Sequence, residues 1–175
     1  MRWMWIDRII EFEPDKRLVA IKNVSLAEEH LHDHFAADAS GPAMPLMPAS
    51  LLIEGMAQTA GVLVGTMSGF REKVILAKII EARFDREVTP GQTVRYEAQV
   101  ERFDHAGAAT TGIVSVLAPP DLQWREIGAV GLMFSHIDRN VSGLAFPKEN
   151  FVFSDNFRMI LRAAGLDRLE ARPPA

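Results

Sequence analysis

The sequence predicts an α+β fold, one long buried helix followed by an antiparallel sheet, and three observations carry that prediction. Residues 42–70 form an apolar run whose only ionisable group is Glu54. Four runs rich in β-branched residues come after it. The segments "TPGQ", "DHAG" and "APPD" between those runs are turn signals, far shorter than the roughly dozen residues that a parallel crossover needs.

Taken in order, residues 2–12 place Trp5, Ile6, Ile9 and Ile10 against Asp7, Arg8 and Glu11, the spacing of a short amphipathic helix or turn that "EPDK" ends. "RLVAIKNVSL", residues 17–26, reads as a strand. Residues 47–68 read as the long helix, with Pro48 in the first turn, where its missing N–H has no intrahelical partner to lose. That helix is apolar on nearly every face, so it is expected to be wrapped by the rest of the chain. Residues 73–84, 93–102, 109–117 and 124–137 read as strands in a sequential meander. Residues 1–138 thus form the main domain. Residues 139–175, with Phe146, Phe151, Phe153 and Phe157 in irregular context and a Pro-rich tail, read as an extension packed on it, loose at its last residues.

Composition narrows the function classes. The 175 residues are 48% hydrophobic and 24% charged, ordinary for one folded domain with a sizeable core. A net charge of −4 gives no overall attraction for nucleic acid or an anionic membrane. The absence of cysteine excludes a disulfide scaffold and a thiolate nucleophile, and fits a reducing cytoplasm. The start, "MRWMWIDRIIEFEPDKR", reads as no signal peptide, because charges interrupt its apolar residues. Residues 42–70 hold Pro45, Pro48 and Gln58 and have no flanking cluster of cations, which favours a helix buried in protein over one that spans a bilayer. No G-x-S-x-G elbow, Walker A loop or G-x-G-x-x-G is present.

Chemistry concentrates in "EEHLHDHFAADASGPAMPLMPASLLIEGMAQTAG", residues 28–61. Burying a carboxylate penalises its charged form, so an acid in an apolar helix suits proton delivery; the plainer alternative is a carboxylate facing water. Gln58, one turn beyond Glu54, shares its face and can orient it. His30, His32 and His34 are each a candidate base, a metal ligand at i, i+2, i+4 spacing, or a structural residue, and spacing leaves these open. His105 and His136 read as structural.

Three blocks then resemble a known family. "IDRIIEFEPDKRLVAIKNVSLAEEHLHDHF", "PLMPASLLIEGMAQTAGVL" and "IIEARFDREVTPGQTV" are similar, in order, to the bacterial 3-hydroxyacyl-acyl-carrier-protein dehydratases of fatty-acid synthesis. The resemblance implies a hotdog fold, a curved antiparallel sheet around a long central helix. It implies a homodimer with sites at the subunit interface, a trimer of dimers being the larger assembly it allows. His34 matches the catalytic histidine and Glu54 the catalytic glutamate, with Gln58 in support and no metal or other cofactor. By the same resemblance, main-chain N–H groups at the helix start, Ala49 and Ser50, polarise the thioester carbonyl, and Leu51, Leu52 and Met56 line an acyl tunnel. The implied substrate is a 3-hydroxyacyl thioester on acyl-carrier protein, with Arg83, Arg86 and Arg95 as candidate docking cations. A hotdog thioesterase and a non-catalytic acyl-binding or assembly subunit are the alternatives.

The match departs from the family pattern at two places. "HFAADASGPAMP" replaces a compact His-Phe-Pro-Gly-x-Pro, which lengthens the interval from His34 to Glu54 by about six residues, although closure entropy grows slowly with loop length. "PA", Pro48 and Ala49, replaces Pro-Gly, which would strain the backbone if that position required a positive φ.

Overall fold

A computed structural model describes residues 4–136, 153 and 155–171. Six strands form one wholly antiparallel sheet: β1 (Arg8–Glu13), β2 (Arg17–Asn23), β3 (Val74–Phe84), β4 (Thr93–Asp104), β5 (Gly107–Leu117) and β6 (Arg125–His136). A single-turn helix, α1 (His30–Asp33), precedes the long helix α2 (Ala49–Met67); α3 (Asp155–Ala163) follows the sheet. The architecture is α+β, with α2 against the concave face of the sheet.

Alternation builds each strand. On β4, Val94, Tyr96 and Ala98 are buried toward α2, while Arg95 and Glu97 point to the outer face. Leu18 and Ala20 of β2 pair with Ala98 and Tyr96 and continue the inner layer. Leu52, Met56, Leu63 and Val64 of α2 close that layer from above, each nearly inaccessible. A fully buried side chain of this kind contributes about 1.5–3 kcal/mol.

Two expectations need correction. Residues 8–13 form a strand, not a helix or turn. A register shift between Ile9 and Glu11 breaks the two-residue alternation, so that Ile10 and Glu11 are both exposed and Phe12, three residues after the buried Ile9, turns back to the core; the spacing therefore imitated a helix. The sheet is also not a sequential meander, since its order is β1-β2-β4-β5-β6-β3. The inner edge of β4 is taken by β2, over the register Arg17↔Gln99 to Asn23↔Thr93, and β3 goes to the far side of β6. Residues 85–92 make that crossing. β3 is thereby an edge strand, and most of its residues are exposed, Ile79 and Ile80 among them.

Of the extension, residues 139–152, 154 and 172–175 lie outside the described residues, Phe146 and Phe151 included. Phe153 is buried edge-on against Phe70, 4.9 Å between ring centroids, and covers Gly65 at the end of α2. α3 rests on β1 with Leu161 buried beneath it.

On the outer face, Arg17 and Arg95 alternate with Glu11 and Glu97. Arg17 donates to Glu97 at 2.6 Å and to Glu11 at 2.6 Å, and Arg95 reaches the second oxygen of Glu97 at 2.8 Å. Their aliphatic stems roof Val19, which points outward between them and yet is fully buried. The Arg17 guanidinium holds the Glu97 carboxyl below its ordinary value of 4.5. A carboxyl lowered in the native state stabilises above its unfolded value and loses that contribution as pH falls through the native one. Glu97→Gln should therefore cost about 1 kcal/mol at pH 7, with the deficit shrinking below about pH 4.5. Urea unfolding of both proteins across that pH range checks this.

Candidate active site

α2 carries two different functional faces. Ala49 and Leu52 are three residues apart on one face and border an open cavity of about 600 Å³. His34, Phe35 and Leu46 form one wall of this cavity and residues 84–87 the other. Two residues beyond Leu52, and so about 200° around the helix, Glu54 projects on the opposite side. Gln58 follows it one turn later. Leu51 shares the Glu54 side, whereas Met56 lies one turn deeper than Leu52 and packs its thioether on Gly112 of β5.

The three neighbouring histidines have different partners. His30 packs edge-on against the Trp5 ring at 5.0 Å, and its burial pushes it toward the neutral form. The Nε2 of His32 meets the Leu26 carbonyl at 2.7 Å. In His34 it is Nδ1 that meets a carbonyl, that of Leu46, at 2.6 Å. A carbonyl oxygen can only accept, so Nδ1 carries the proton and the Nε2 lone pair of neutral His34 is left for a base. Only His34 of the three borders the cavity. Among the described residues no group of three or more His, Asp or Glu is arranged to hold a metal ion.

The lengthened loop folds back on itself. Met44 N–H donates to the Phe35 carbonyl, Asp38 and Gly41 form an isolated bridge, and Asp38 caps Ser40 and Gly41. Its ends are thus drawn together, which is what lets Leu46 reach His34. Phe35 adopts a φ of 61° and lays its ring on the His34 imidazole, 4.4 Å between centroids.

At the start of α2, Leu51 and Leu52 N–H both donate to the Pro48 carbonyl. Ala49 and Ser50 precede any intrahelical acceptor, so their N–H groups sit at the positive end of the helix, with Ala49 at the cavity. Ala49 has ordinary helical backbone with negative φ, and alanine in place of glycine is unstrained there.

On the other face, Gln58 Nε2 donates to Glu54 Oε1 at 2.9 Å, while Gln58 Oε1 accepts from the Trp5 main-chain N–H at 2.8 Å. Glu54 is half-buried and Gln58 is buried. Between them Gly55 faces β4, where the Tyr96 ring comes so close that an added Cβ would stand 2.3 Å from Cζ. Neither the Trp5 donor nor this contact was foreseen from sequence; a glycine at 55 inside an apolar helix was the signal for the second.

Of the three arginines proposed as docking cations, Arg95 is engaged with Glu97 and Arg83 is exposed on β3. Arg86 borders the cavity, flanked by Asp85 and Glu87.

Residues 2–121 match the FabA-like domain family. The chain belongs to that family. Its curated relatives include the 3-hydroxyacyl-[acyl-carrier-protein] dehydratase FabZ of Solibacter usitatus, 40% identical over 116 residues, 65% of this chain and 67% of the relative. The FabZ of Anaeromyxobacter sp. is 38% identical over 119 residues, 65% of this chain and 72% of that one. Among solved structures, a dehydratase heterocomplex from Xenorhabdus doucetiae superposes with a TM-score of 0.59 at 16% identity, covering 77% of this chain and 84% of that one. A thioesterase superfamily member from Thermus thermophilus gives 0.55 at 16% identity, covering 91% and 97%. These likenesses establish the hotdog fold. The FabA-like match ends just after β5, so β6 and α3 lie beyond the matched residues.

In this FabA-like domain the Gly55–Tyr96 contact sets the depth at which Glu54 sits. Gly55→Ala should lower stability by about 1–3 kcal/mol, as overpacking does. Pairing it with Tyr96→Leu should recover part of the loss, which thermal unfolding of the single and double variants will show.

Proposed function

We propose that the protein dehydrates 3-hydroxyacyl thioesters on acyl-carrier protein to trans-2-enoyl thioesters, as the names of its FabZ relatives state for them. The observation that carries this reading is the one cavity that unites a histidine with a free Nε2 lone pair and the N-terminal N–H groups of a helix. His34 Nε2 removes the α-proton of the substrate. The Ala49 and Ser50 N–H groups receive the negative charge that grows on the thioester oxygen. The C–O bond at carbon 3 then breaks, and its hydroxyl leaves as water with the proton of a glutamic acid. Proton exchange between the two residues and solvent resets both. Leu52 at the cavity supplies apolar surface for the acyl chain, and Leu51 does so on the Glu54 side.

Within one chain His34 and Glu54 occupy different faces of α2, so the acid that serves His34 is Glu54 of the partner subunit. The exposed edge of β3, with Ile79 and Ile80 uncovered, is the surface on which two copies would join; an apolar edge left open is an aggregation hazard. The pairing is isologous, which gives two equivalent composite sites. Among the described residues no helix is long and apolar enough to cross a membrane.

His34→Ala and Glu54→Ala should each lower dehydration by about 10²–10⁴-fold while leaving the fold intact. Equal mixing of the two inactive variants after subunit exchange should restore about a quarter of wild-type activity, because half of the dimers then carry one intact site. Release of free thiol from a saturated acyl thioester, without enoyl product, would instead identify a thioesterase. Unchanged dehydration in both variants would remove the assigned roles.

A further inference from the structure

We propose that the main-chain N–H of Trp5 is a positioning group for Glu54, acting through the Gln58 amide; this rests on the reading of Glu54 as the catalytic acid. The two ends of a glutamine amide have nearly the same shape and opposite chemistry, one a donor and the other an acceptor. A turned Gln58 would set its NH₂ against the Trp5 N–H and its oxygen against the carboxyl of Glu54, losing the Trp5 hydrogen bond at any stage and the Glu54 one whenever that carboxyl is ionised. Glu54 and the Trp5 N–H both hold the amide, and they are not equivalent. The Glu54 carboxyl changes its proton during turnover, so at one stage it could accept either end of the amide. The Trp5 N–H, which donates at 2.8 Å, neither titrates nor rotates. Gln58 is buried, so water does not readily replace either partner.

The segment that carries this N–H is itself well anchored. The Trp5 ring is buried edge-on against His30, and Ile6 is fully buried beside it. Asp7 N–H donates to the Ile21 carbonyl at 2.7 Å, and its carboxylate accepts from the Asn23 N–H at 2.7 Å. Trp5 therefore touches both supports of the chemistry, the turn that ends in His34 and the amide that faces Glu54. The residues ahead of β1 hold the proton donor in register and do so through the backbone.

Three proteins test this. Trp5→Pro removes the N–H, Trp5→Phe keeps it with an aromatic ring, and an ester at the 4–5 linkage, made by ligation with the α-hydroxy analogue of tryptophan, removes the N–H alone. Removing one buried hydrogen bond should lower kcat by about tenfold in the proline and ester proteins, with KM unchanged. Trp5→Phe retains the N–H and alters the ring that packs on His30, so its kcat should fall less than that of the ester protein. The side-chain NH₂ resonance of Gln58 should shift in the proline and ester proteins and not in Trp5→Phe. If Trp5→Pro does not fold, the ester protein decides alone. An ester protein with wild-type kcat, or an unmoved Gln58 resonance, would overturn the proposal. Glu54→Gln is the separate control: if it keeps full dehydration, the reading of Glu54 fails, whereas the Gln58 resonance still reports whether Trp5 sets the amide.

Discussion

The structure depends on how closely α2 can approach the sheet. A helix carrying a large side chain at every inward position would stand 10 Å or so off the strands, as packed layers do. Here Gly55 admits the Tyr96 ring of β4, and Gly112 of β5 admits the Met56 thioether. Each contact inserts a side chain from one layer into a gap left by glycine in the other. The two gaps fix the helix both along its axis and in rotation. Glu54 stands immediately before Gly55, so the lock that places the glycine also aims the carboxyl away from the sheet.

Much of this was legible in the sequence, for reasons that differ by element. α2 and the strands β2 and β4–β6 follow from local pattern, since their residues see the same environment at each turn or each second residue. β1 does not, because the bulge after Ile9 spoils the alternation on which a strand is recognised. Strand order was hidden too: residues 85–92 are short enough to suggest that β3 and β4 are neighbours, yet long enough to cross the end of the domain. The competition is decided by β2, all of whose residues pair with Thr93–Gln99 and so occupy the first part of that edge of β4.

The site shows the same division. Glu54 stood out as the one ionisable group in an apolar run. The histidines could not be told apart by spacing, since what separates them is tertiary: a tryptophan ring for His30, the Leu26 carbonyl for His32 and the Leu46 carbonyl for His34. Resemblance singled out His34, and the structure adds that it alone of the three borders the cavity, with Nδ1 rather than Nε2 taken by a carbonyl. The Trp5 N–H was beyond any sequence reading, for every residue except proline has one.

The longer loop after His34 illustrates how an insertion can be accommodated beside a reactive group. Its added length is consumed in a small bridged turn, and the ends remain tied by the Met44–Phe35 hydrogen bond. The cost is local: Phe35 is held at positive φ, worth about 1–3 kcal/mol for a residue with a side chain. What offsets it is the contact of the Phe35 ring with the His34 imidazole and the return of Leu46 to hydrogen-bonding distance. The strain therefore sits one residue from His34, and both side chains border the cavity. The opposite face of α2 needs no such device, because Gln58 already holds Glu54 from within the helix. One helix thus borders His34 at its N-terminal face and carries Glu54 on the other, which is why the proposed reaction calls on a second copy of the chain to unite them.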